Sequence, residues 1–170
     1  MVGAPGAFDE TLEGLYQLAL NGAKVEIRVV LHAMTIPRLR QLASFIYRRL
    51  PFVEHVALMG LEPMGFAKRN REKLWIDPAS YVDALSDVVG FLANRKMQVS
   101  IYNLQLCILP RSLWPFARQS ISEWKNKFAA PCGGCVVRDH CAGFFASAND
   151  DWRSQHLKPL TLEDLSDVVA

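Results

Sequence analysis

Four cysteines carry the most specific chemistry in this sequence: Cys107, Cys132, Cys135 and Cys141. Cys132-Gly-Gly-Cys135 is a CxxC, and Cys141 completes a CxxC-x5-C. Thiolates are soft ligands that suit zinc or an iron–sulfur cluster. The glycines between the first pair free backbone N–H groups to turn toward the sulfurs. Cys107 lies well upstream and can fold back as a fourth ligand. His140 is its rival, although it adjoins Cys141 and would strain a shared corner. Zinc ribbons prefer two CxxC pairs and this chain has one, so the spacing leans toward iron–sulfur and leaves zinc open. Clustered cysteines in a chain with no secretory signal read as metal ligands before disulfides.

A second set of polar residues sits on predicted strands. In the strand Lys24 to Leu31, Val25, Ile27, Val29 and Leu31 point one way and are all apolar. Glu26, Arg28, Val30 and His32 point the other way. A parallel strand covered on both faces is apolar on both. This one-sided pattern fits a barrel strand whose inner face lines a polar cavity, or a half-sheet facing solvent. The second strand, about His55 to Gly60, runs into Glu62 just past its carboxyl end, where α/β sites lie. Gly60 suits a close backbone approach. The third strand, Met97 to Tyr102, ends in Tyr102 and Asn103 at the same level.

The elements that hold these residues alternate at βαβ spacing. Asp9 can cap a first helix running to about Leu20, with Gly22 as its stop. Thr35 can cap a second, with Pro37 in its first turn and Leu39, Leu42, Ala43, Ile46 and Leu50 on its buried face. A polar loop from Glu62 to Ile76 leads to a third helix capped by Asp77, with Pro78 at its first position. A fourth helix is predicted after Pro110, capped by Ser112, with Trp114, Ala117, Ile121 and Trp124 recurring on it. Thr161 and Asp164 fit the capping box of a short helix in the polar tail. The predicted divisions are 1–104 for the α/β part, 105–147 for the cysteine segment and 148–170 for the tail.

Composition sets the outer limits. Hydrophobic residues make up 51% of the 170 residues and charged residues 21%, the balance of a globular chain with a real core. A net charge of +2 is too small to point to nucleic acid. No apolar run reaches the roughly 18 residues of a membrane span. The expected location is the cytoplasm.

Several segments resemble the radical SAM superfamily, and more closely the C component of the His-Xaa-Ser-system maturases. They are Val25 to His32, Met59 to Pro63, Leu74 to Pro78, Ser100 to Asn103 and Leu113 to Asn126. The last, Leu-Trp-Pro-Phe-Ala-Arg-Gln-Ser-Ile-Ser-Glu-Trp-Lys-Asn, is the most specific, and the likeness covers about Val2 to Phe145. The cysteine spacing is similar to auxiliary-cluster extensions of the twitch and SPASM kind. The resemblance implies a half β/α barrel of three parallel strands with flanking helices, followed by a cysteine-rich auxiliary-cluster segment. It implies an auxiliary [4Fe-4S] cluster on Cys107, Cys132, Cys135 and Cys141. It also implies contacts from Glu26, Arg28, Gly60, Glu62, Tyr102 and Asn103 to S-adenosylmethionine in the complete enzyme. The implied substrate is a ribosomally synthesised precursor peptide.

The sequence departs from that family in one large respect. It lacks CxxxCxxC and has no cysteine before Cys107. Three βα units also fall short of a full barrel, which takes about 250 residues. The chain is therefore expected to be inactive alone, with a missing N-terminal half or a partner maturase supplying the rest. The competing expectation is a zinc- or cluster-stapled peptide-binding module without catalysis, whose basic loop Lys68, Arg69, Arg71 and Lys73 docks an acidic partner.

Overall fold

The computed structural model describes residues 4–120 and 126–166. Five helices and four strands build its α/β layer. Helix α1 spans Ala7–Leu20, strand β1 Val25–Leu31, helix α2 Leu39–Arg49 and strand β2 Val53–Gly60. Two short helices follow, α3 (Gly65–Arg69) and α4 (Arg71–Leu74), then α5 (Val82–Ala93), β3 (Gln98–Tyr102) and the two-residue β4 (Ala117–Arg118). The sheet order is β1-β2-β3-β4, and every pairing is parallel. The cysteine segment carries a small antiparallel pair, β5 (Asn126–Lys127) with β6 (Phe144–Phe145). A short helix α6 (Leu162–Ser166) closes the described chain. Among the described residues, no helix is long and apolar enough to cross a membrane.

One face of the sheet holds the core. Val25, Val29 and Leu31 of β1, Val56 and Leu58 of β2, and Val99 and Ile101 of β3 are buried against α2 and α5. From the helices come Leu39, Ala43 and Ile46, then Leu85, Val88, Val89 and Leu92, at spacings of three and four that put them on one stripe. The opposite face carries Glu26 and Arg28, both exposed, and Val30, which is 41% exposed. The alternation read from the first strand thus corresponds to a sheet covered on one side.

Several local expectations change. The sheet has four strands where three were expected. The stretch after Pro110 is a 3-10 turn, Arg111–Phe116, that enters β4 instead of a helix. Pro115 sits inside that turn, and proline in a helix interior lacks the N–H and clashes with the preceding turn. The predicted helix positions Ile121 and Trp124 lie outside the described residues. Helix α1 begins at Ala7 after Gly6, so Asp9 stands in its first turn and does not cap it. Thr35 precedes a 3-10 turn without capping it; its hydroxyl donates to Val30 O at 2.8 Å and accepts from His32 N at 2.9 Å, sealing the end of β1. The loop after Glu62 contains α3 and α4. Asp77 does cap, accepting from Ala79 N at 2.9 Å ahead of Pro78. The capping box also forms: Thr161 N donates to Asp164 Oδ2 at 2.8 Å, and Asp164 N donates to Thr161 Oγ1 at 3.3 Å.

The outer edge of β1 pairs with no strand among the described residues. Unpaired backbone on a β-branched strand favours association with another chain. We expect the isolated protein to self-associate in sizing chromatography with light scattering; a heat-stable monomer would contradict this.

Candidate metal centre

The loop after β3 and the cysteine segment meet at one cavity of about 30 Å³, and all four cysteines line it. Two hydrogen bonds explain how the distant Cys107 loop reaches the others. The indole N–H of Trp114 donates to Leu106 O and Leu109 O, each at 3.1 Å, and wraps the loop around itself. The buried Gln105 donates from Nε2 to Gly143 O at 2.7 Å and pins that loop to the residues after Cys141. Gly143 itself has φ +60°, and a Cβ there would stand 2.5 Å from Lys127 O, so only glycine fits where this loop crosses the strand β5.

Backbone amides face the sulfurs. Leu106 N and Gly143 N each donate to Cys141 Sγ at 3.5 Å, and Leu160 N donates to Cys135 Sγ at 3.4 Å. The Lys158 amide favours the Cys107 thiolate. Burial pushes the Cys107 thiol upward, and that amide opposes the shift. Burial likewise raises the Cys141 thiol against the amides of Gly143 and Leu106. These donors differ from the expected Gly133 and Gly134, which are exposed in the 3-10 turn Ala130–Gly134. His140 is also exposed and does not line the cavity. Among the described residues no three His, Cys, Asp or Glu side chains are grouped to hold a single ion.

The six other predicted site residues fall in two places. Glu26, Arg28 and Tyr102 lie on the uncovered sheet face. There Glu26 is already engaged: Arg28 Nε donates to Oε1 at 2.5 Å, and His55 Nδ1 lies 2.5 Å from Oε2. A carboxylate only accepts, so Nδ1 carries a proton, and Nε2 lies 2.9 Å from the Ser100 hydroxyl. Strand register explains the row, since Glu26 pairs with His55 and Ser100 stands one step along β3 on the same face. His55 and Ser100 escaped the sequence analysis, because the register that sets His55 beside Glu26 joins two strands. Ser100 is 6% exposed, so its hydroxyl serves the ring and not an incoming molecule.

Gly60 and Asn103 lie at the carboxyl edge of the sheet, on a second small cavity that also takes in Trp75 and Trp152. A Cβ at Gly60 would meet Asn103 O at 2.6 Å, and Asn103 has φ +59°. Gly60 is thus required by the chain itself. Glu62, half-buried, stands beside this cavity without lining it. Gln105 and Phe144 form walls of both cavities.

Compared with known proteins, the chain matches no family model, no curated protein and no solved structure.

Hydrogen bonds from His55 and then Arg28 hold the Glu26 carboxyl below its ordinary range. A depressed folded-state pKa stabilises above the unfolded value, near 4.5, and that contribution disappears as pH falls through the folded pKa. We expect Glu26→Gln to flatten the acid limb of the stability curve, measured by urea unfolding from pH 7 downward. An unchanged limb would mean that the row contributes nothing to folding.

Proposed function

We propose that this chain is the C-terminal portion of a radical SAM enzyme that modifies a ribosomally synthesised peptide in the cytoplasm, with Cys107, Cys132, Cys135 and Cys141 holding an auxiliary [4Fe-4S] cluster. The observation that carries the reading is the cavity with four thiols on its wall. A single zinc asks all four sulfurs to meet about 2.3 Å from one point. A cluster takes one sulfur at each of its corners, and four thiols on one wall supply that number. Amides aimed at sulfur add support, because thiolate charge on a cluster is stabilised by such donors.

When bound, a cluster of this kind supplies one-electron chemistry. The residues of this chain have their own tasks. Gln105 and Gly143 fix Cys141, and Trp114 fixes the loop bearing Cys107. The parallel sheet stands as half of a β/α barrel. Its uncovered face offers Glu26, Arg28 and Tyr102 toward the S-adenosylmethionine cavity, with Gly60, Glu62 and Asn103 at the carboxyl edge. Arg28, with an exposed side chain, is the cation of that group and is ion-paired with Glu26. Glu26 orients His55 through Nδ1, which holds the ring on the same face.

Anaerobic reconstitution is expected to load iron and sulfide and to give a broad visible charge-transfer absorption, abolished by Cys135→Ala. Uptake of one zinc with no sulfide would overturn the cluster. Lacking CxxxCxxC, the chain alone is expected to form no 5′-deoxyadenosine from S-adenosylmethionine.

A further inference from the structure

The wall of the cysteine cavity includes a segment from outside the cysteine region: Leu157, Lys158 and Pro159, followed by Leu160. This segment has no helical or strand pairing of its own. Its amides nevertheless follow a pattern. The Leu160 amide donates to Cys135 Sγ at 3.4 Å, and the Lys158 amide favours the Cys107 thiolate. Between them stands Pro159, which has no N–H to satisfy.

The segment is also anchored from several sides. Val136 N donates to Leu160 O at 3.0 Å, so Leu160 accepts from and donates to the CxxC turn at once. Lys158 Nζ pairs with Asp164 Oδ1 at 2.8 Å, and the Asp164 carbonyl accepts from Arg111. Leu160 and Leu165 pack on Leu106, Val137 and Cys141. Upstream, Gln155 N donates to Asp77 Oδ2 at 3.1 Å.

We propose that the segment Leu157 to Leu160 is the lid of the thiolate centre and that its two amides tune the electron density on the sulfurs of Cys107 and Cys135. This rests on the cluster reading for its redox form only; the amide–sulfur contacts act on any thiolate-bound metal. Reduction adds negative charge that a cluster shares with its sulfurs, and an amide dipole pointed at sulfur stabilises that charge. Losing the amide therefore makes the centre harder to reduce.

Leu160→Pro removes one amide, and Leu160→Ala removes the side chain but keeps the amide. Potentiometric titration of the reconstituted proteins, followed by electron paramagnetic resonance, is expected to place Leu160→Pro at a more negative midpoint than wild type, with Leu160→Ala close to wild type. Lys158→Pro is the second variant and is expected to shift the same way. A proline variant that keeps the wild-type melting temperature but no longer takes up iron and sulfide also supports the lid, since Leu160→Ala controls for packing. Unchanged midpoints in both proline variants overturn it. Failure of the wild type to take up iron and sulfide overturns the cluster reading by itself. The lid is then decided on cobalt-substituted protein, where losing the amide is expected to move the sulfur-to-cobalt band to lower energy; an unmoved band in both proline variants overturns the lid.

Discussion

One buried hydrogen bond ties the two parts of this molecule together. Gln105 donates to Gly143 O, and the flanking amides, Leu106 N and Gly143 N, both turn to Cys141. The loop after β3 and the loop after Cys141 are thus held face to face, and Cys107 and Cys141 come to share a cavity. An unsatisfied buried amide costs about 1–3 kcal/mol, so the arrangement is strongly preferred over one in which Gln105 lacks its partner. Gly143 makes it sterically feasible by crossing Lys127 O with no Cβ in the way.

The α/β layer acts as the frame for this junction. Its helices cover one face of the sheet, so the apolar residues of β1, β2 and β3 can be satisfied while the other face keeps Glu26, Arg28, His55 and Tyr102. Those polar groups find partners across strands, as Glu26 does with His55, which lets a charged row persist on that face. Ala57 and Ser100 are buried on this same face.

Much of this was legible in the sequence. Period-two alternation gave β1 its sidedness, the three-and-four spacing gave α2 and α5 their buried stripes, and Asp77-Pro78 and Thr161/Asp164 marked two helix starts by local chemistry alone. Local signals failed where tertiary contacts decide. β4 is two residues long and has no alternation to read; it exists because β3 offers an open edge. The apolar recurrence through Trp114 and Ala117 looks helical, yet Trp114 spends its N–H on the Leu106 and Leu109 carbonyls, and Pro115 forbids continuation. Thr35 had the type of a cap but met the end of β1 first. The Gly-Gly of the CxxC drew attention to the wrong amides, since the donors to sulfur come from Leu106, Gly143 and Leu160, which no spacing rule connects to a cysteine.

Asp77 serves two masters at once. Oδ1 holds the start of the turn leading into α5, while Oδ2 receives Gln155 N from a segment far downstream. Burial raises its carboxyl, but hydrogen bonds from Ser154 and from the Ala79 and Gln155 amides outweigh this and keep it ionised. A chain emerging from the ribosome makes the first of these contacts as soon as the Asp77 turn is free. The second must wait until Gln155 has cleared the exit tunnel. All four cysteines emerge before that moment, and residues 157–160 after it. Vectorial emergence therefore brings out the thiols ahead of the last wall of their cavity.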